Sequence, residues 1–185
     1  MLTKKQNKYY ATGVDIGVKG AIVTVDETGS LVGFTNLKTK KEELYKKKKY
    51  TLTSVIQVES VQDAFKHLPR KDHIIGIETP LLNHASRGSG QAQITIGYNY
   101  ALIRETIKHM GIPFIMIAPY EWMKPMMNKN FKKESSILLT KGIMKKKDIN
   151  KITQDSKIND GIADAFLIAI YALQYAGVLK DGYRL

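Results

Sequence analysis

The chain has 185 residues, 43% of them hydrophobic and 25% charged, which suits one folded domain with a substantial core. It has no cysteine, which excludes disulfides and thiolate metal sites, and its four histidines, His67, His73, His84 and His109, show no zinc-type spacing. The formal net charge of +12 points to a polyanionic partner, nucleic acid before an anionic membrane surface. No apolar run reaches the length of a bilayer span, and the basic N-terminus lacks the apolar core of a secretory signal. A cytoplasmic protein without a membrane partner is expected.

Residues 1–8 are polar and lysine-bearing and read as a loose basic arm. From Tyr9 to Val25 the pattern predicts two strands joined by a tight Gly17–Gly20 turn, with Asp15 at the end of the first. Asp26-Glu27-Thr28-Gly29 is a second turn, and Ser30 to Leu37 a third strand, so the three form an antiparallel meander. Lys38 to Lys49 is a basic run expected as a solvated loop. Thr53 or Ser54 is expected to cap a helix reaching Leu68, with Val55, Val58, Val61, Phe65 and Leu68 inward.

His73 to Pro80 reads as a buried parallel strand ending in Glu78. Functional sites on open α/β sheets collect at such strand ends. Asn83 to Gln93 is glycine- and serine-rich and is expected as a polar loop. A helix follows to Met110, with Ile94, Tyr98, Ala101 and Ile107 expected inside and Gly111 ending it. Ile112 to Ala118 is a further strand, Pro119 to Lys124 a short helix, Phe131 to Leu139 another helix, and Lys141 to Lys151 a second basic segment.

The final element, Asn159 to Leu173, is apolar or small from Gly161 onward except for Asp164. A carboxylate on a buried helix is costly unless paired or metal-bound. Asp160 lies one turn earlier, on nearly the same side, though it also reads as a simple N-cap. Strands first, then alternating strand and helix, give an α/β fold with a mixed five-stranded sheet flanked by helices, in one domain over 1–185. Asp15 and Glu78 then end neighbouring strands, facing Asp160 and Asp164. Four convergent carboxylates can hold two divalent ions for phosphodiester hydrolysis, and oxygen-only ligands favour Mg²⁺ or Mn²⁺.

Gly13-Val14-Asp15-Ile16-Gly17, Ile77-Glu78 and Asp160-Gly161-Ile162-Ala163-Asp164-Ala165 resemble the three acidic motifs of the RuvC-type Holliday junction resolvases, within the RNase H-like fold. The resemblance is closer to the phage and virus branch. It extends to the Gly88–Tyr98 stretch, the Pro119-x-x-Trp122-x-Lys124 segment and Lys132-Lys133-Glu134-Ser135, and covers roughly residues 11 to 173. It implies a homodimeric endonuclease that uses Mg²⁺, with Mn²⁺ able to substitute, to nick four-way and other branched DNA. Asp15, Glu78, Asp160 and Asp164 would be the catalytic metal ligands. The last two acids are spaced i,i+4, where the bacterial cellular enzyme has i,i+3, and residues 86–93 offer no aromatic wedge.

Arg87 and Gln91, in the loop after Glu78, are candidates to reach DNA near the cut. Lys46, Lys47, Lys48 and Lys145 to Lys147 are candidates by charge, Lys124, Lys132 and Lys133 by the resemblance, and Lys157 by its place one turn before Asp160. Trp122 reads as a packing residue, Tyr98 and Tyr100 as core or dimer contacts, and His84 as a general base that metals would make unnecessary. Rival readings are another RNase H-like nuclease acting on RNA–DNA hybrids or as a transposase, a catalytically silent junction-binding module, and an actin-like kinase. The last needs a second half that the chain is too short to supply.

Overall fold

The computed structural model describes residues 8–17, 19–45, 50–68, 70–80, 90–126 and 135–179. Its strands are β1 (Tyr10–Val14), β2 (Ala21–Asp26), β3 (Leu31–Asn36), β4 (Thr39–Tyr45), β5 (Tyr50–Ile56), β6 (His73–Glu78) and β7 (Phe114–Ile117). Its helices are α1 (Val58–Phe65), α2 (Gly90–His109), α3 (Pro119–Met126), α4 (Ser135–Ile143), α5 (Lys146–Asp155) and α6 (Asp160–Tyr175). The main sheet has the order β3-β2-β1-β6-β7. β1, β2 and β3 form the expected antiparallel meander, and β6 and β7 add in parallel beside β1.

Alternation along the strands splits the core into two layers. Ala11, Val23, Val25 and Ile74 face a cluster built on α6, which also takes Trp122 of α3, Met144 and Ile152. Val14, Ile22, Ile75 and Ile77 face the other side, where Val61 and Phe65 of α1 and Ile103 and Ile107 of α2 cover them. α6 lies directly on the sheet because the facing residues are small. A Cβ on Gly13 would overlap the Ala165 carbonyl oxygen, and one on Gly76 would crowd Ile117 and Ile168.

Three expectations need correction. Residues 39–45 and 50–56 are not loop and helix start but an antiparallel two-stranded ribbon, and α1 begins only at Val58, behind Gln57. Ser54 has φ 62°, left-handed rather than the extended backbone an N-cap requires. Val55 and Ile56, each 1% exposed, enter the core as strand residues. Second, α2 is rotated from its expected face. Thr95, Asn99, Ile103 and Ile107 are buried, while Ile94 is 56% exposed and Ala101 is exposed. Asn99 fixes that rotation by accepting from Ile56 N–H (3.0 Å) and donating to the Ser54 carbonyl (3.0 Å). Third, Lys145, expected as a phosphate contact by charge, bonds within the fold, in a segment 141–151 that is helical over most of its length. Lys145 donates to Thr28 and Ser30, and Lys151 to the Val32 carbonyl (2.9 Å). Both lysines tie α5 to the β2–β3 hairpin, so Lys145 is engaged within the fold.

Candidate active site

β1 and β6 run in parallel with Val14 opposite Ile77, so the next residues, Asp15 and Glu78, emerge at the same sheet end. Asp15 stays in the ladder through its N–H to the Ala21 carbonyl (3.0 Å). Its Oδ1 accepts from Gly17 N–H (2.9 Å), which folds the carboxylate back over the turn. Glu78 Oε1 accepts the indole N–H of Trp122 (2.9 Å). Asp160 and Asp164 come from the first two turns of α6. Asn159, not Asp160, caps that helix: its Oδ1 accepts from Ile162 N–H (2.8 Å). Asp160 is thereby free for another role. The start of α6 is pressed onto the β1–β2 turn, since a Cβ on Gly161 would overlap the Lys19 carbonyl oxygen. Asp164 is hydrogen-bonded by the side chain of Ser136, itself buried on α4.

All four carboxylate residues are only partly exposed. Desolvation dominates the electrostatics of Asp15, Glu78 and Asp164. Burial pushes the Asp15 carboxyl up to about 6, against the lowering bond from Gly17, and the charge of Asp160 raises it further. Burial likewise takes Glu78 to about 7, with Trp122 opposing and Asp15 and Asp164 adding repulsion. Asp164 rises to about 6 by burial and the repulsion of Asp15 and Asp160, against Ser136. The four therefore form one mutually repelling group. Among the described residues no Lys or Arg forms an ion pair with any of them.

Such a group fits a hard divalent cation by donor chemistry: every ligand is an oxygen, and a cation would offset both the burial and the repulsion. Among the described residues the acids are not drawn into a ready cluster of three or more ligands.

The other candidates are spread out. Lys124 is exposed on α3 and Lys157 is exposed just ahead of α6. Gln91 lies in the first turn of α2, but its side chain, together with Lys46, Lys47, Lys48, His84, Arg87, Lys132 and Lys133, lies outside what is described. Tyr98 is 37% exposed, and the half-buried Tyr100 donates its hydroxyl to the Met116 sulfur (2.8 Å). Four contributors to the site escaped the sequence reading. Trp122 packs as expected, but a buried indole also needs an acceptor, and that was the available signal for its bond to Glu78. Asn159 was legible as a preferred capping residue. Lys19, exposed on the turn beside α6, had only its place between two glycines to mark it. Nothing in the sequence marked Ser136.

No curated protein matches the chain. Among solved structures, Thermus thermophilus RuvC in complex with a Holliday junction substrate aligns with a TM-score of 0.57 at 14% identity, over 91% of this chain and 95% of that one. A second Thermus thermophilus RuvC structure aligns with a TM-score of 0.52 at 14% identity, over 91% and 95%. The yeast mitochondrial Holliday junction resolvase Ydc2 aligns with a TM-score of 0.52 at 19% identity, over 94% and 81%. The mixed sheet and its flanking helices thus share the fold of these structures, the RNase H-like fold. Residues 19–174 match the family described as Lactococcus phage M3 protein, and the chain belongs to that family.

Proposed function

We propose that the protein is a divalent-metal-dependent endonuclease that nicks branched DNA, four-way junctions foremost, by phosphodiester hydrolysis. One observation carries the reading. Four partly buried carboxylates with no cationic partner among the described residues come from β1, β6 and α6, at the C-terminal end of the parallel strands β1 and β6 and the start of α6. Asp15, Glu78, Asp160 and Asp164 would hold Mg²⁺, two ions per site, with Mn²⁺ able to replace it. When bound, the ions would activate a water and stabilise the leaving 3′-oxygen. The chain's own contribution is to hold the acids in place: Gly17 N–H fixes Asp15, the Trp122 indole fixes Glu78, and Ser136 fixes Asp164.

The net charge of +12 suits a DNA partner. Lys19, exposed on the β1–β2 turn, Lys157, exposed just ahead of α6, and Lys124, exposed on α3, would be the candidates to meet phosphates. The fold likeness to a RuvC bound to a Holliday junction favours a branched substrate. Paired nicks across such a junction need two sites, so a homodimer is part of the reading.

The test is cleavage of end-labelled four-way, forked, linear and RNA–DNA hybrid substrates with Mg²⁺, Mn²⁺ or EDTA. Paired nicks on the four-way substrate are expected, lost with EDTA and reduced at least 100-fold in Asp15→Asn, on the order of a removed charge-stabilising group. Cutting of the hybrid alone would move the activity to the RNase H type. Junction binding without cutting, whatever the metal, would leave a binding module.

A further inference from the structure

We infer that Trp122 is a positioning residue for the candidate metal site, acting through Glu78; the inference rests on the reading of Glu78 as a metal ligand. The indole is 0% exposed and belongs to the core cluster built on α6, so its place is set by packing. Its helix is also fixed at the start. Glu121 Oε2 accepts from Ala118 N–H (2.6 Å), the half of a capping box in which the acid of the first turn reaches back to the capping residue, directly after β7, whose Ile117 pairs with Glu78 itself. Glu78 thus ends one strand, Trp122 lies on the helix that follows the adjacent strand, and one hydrogen bond of 2.9 Å joins them.

The chemistry gives that bond a direction. An indole N–H donates and never accepts, whereas an ionised carboxylate has about four lone-pair sites over two oxygens. Trp122 occupies one site on Oε1 and leaves the rest for a cation. It also fixes a side chain that would otherwise have to be ordered when the ion binds, at an entropic cost. Partners of this kind, which orient a ligand without touching the metal, are generally worth 10- to 100-fold in metal affinity. A tryptophan serving only the core would be replaceable by phenylalanine without effect on the ion.

The experiment measures Mg²⁺ and Mn²⁺ binding to the metal-free full chain by calorimetry, with no DNA present. Trp122→Phe, checked for folding by circular dichroism and melting, is expected to bind 10- to 100-fold more weakly. Tyr120→Phe, on the same helix but with its ring 65% exposed, is expected to match the wild type. Equal affinity in a folded Trp122→Phe overturns the inference. A second readout needs no variant, because Trp122 is the only tryptophan in the chain. Its emission should shift on Mg²⁺ addition with the calorimetric midpoint, and binding without any shift would also overturn the inference. A wild type that binds neither ion removes the metal-site reading itself, and the role of Trp122 with it.

Discussion

Asp15, Glu78 and Asp164 carry protons at pH values where an ordinary carboxyl has lost them, because burial and mutual repulsion penalise their charged forms. Their folded pKa values, about 6, 7 and 6, lie above the ordinary values near 4. Between roughly pH 4 and 7 the folded state therefore binds more protons than the unfolded one, and stability falls as pH rises through that window. The metal-free protein is expected to melt at a higher temperature at pH 5 than at pH 8. At pH 8, Asp15→Asn should melt above the wild type, by on the order of 1 kcal/mol, since one pKa unit corresponds to about 1.4 kcal/mol. Mg²⁺ should raise the wild-type melting temperature more at pH 8 than at pH 5. Melting curves across pH with EDTA or Mg²⁺ check all three, and a wild type that gains stability with pH in EDTA would contradict the electrostatic account. A variant that gains stability as it loses activity is the usual trade-off at a functional site.

At the scale of elements, the position of α6 depends on having no side chain where it meets the β1–β2 turn. Gly161→Ala improves helix propensity by about 1 kcal/mol. It also drives a Cβ into the Lys19 carbonyl oxygen, and overpacking of this kind costs typically 1–3 kcal/mol. The second effect is expected to win, because the obstacle is backbone. A shift of about 1 Å in the start of α6 moves Asp160 relative to Asp15, and misplacement of that size costs about 100-fold in rate. Gly161→Ala should therefore lose cleavage far more than junction binding; loss of both together would mean that the helix has come away from the sheet. The strands that carry Asp15 and Glu78 were legible because short apolar runs end in an acid beside a turn, and α6 because thirteen apolar or small residues contain one carboxylate. The β4–β5 ribbon was not legible, because the lysines and glutamates of β4 read as a solvated run and Val55, at helical spacing from Val58 and Val61, drew the end of β5 into the following helix. The rotation of α2 was not legible either. It is set by Asn99 reaching residues 43 and 45 positions away, and a polar residue in a buried stripe carries no hydrophobic signal. The bond from Trp122 to Glu78 spans 44 residues, a tertiary fact that no local pattern holds.

Over the whole molecule, four of the 17 acids stand together at the sheet end, so the rest of the chain is more basic than the net +12 indicates. Lysines released into contact with phosphate displace condensed counterions, and the logarithm of the binding constant then falls linearly with that of salt, by about 0.9 per phosphate neutralised on duplex DNA. Lys19 and Lys157 are exposed near the acids, and neither donates a side-chain hydrogen bond to another described residue. In the Lys19→Ala/Lys157→Ala double variant the slope of junction binding should shrink by about 2, one for each phosphate lost. Lys145→Ala offers the contrast. That lysine is bound to Thr28 and Ser30, so its loss should lower the melting temperature and leave the slope unchanged. Binding of a four-way junction, measured by anisotropy in Ca²⁺ from about 50 to 200 mM salt, separates the two cases. A slope unmoved by the double variant would place the DNA on another face of the molecule.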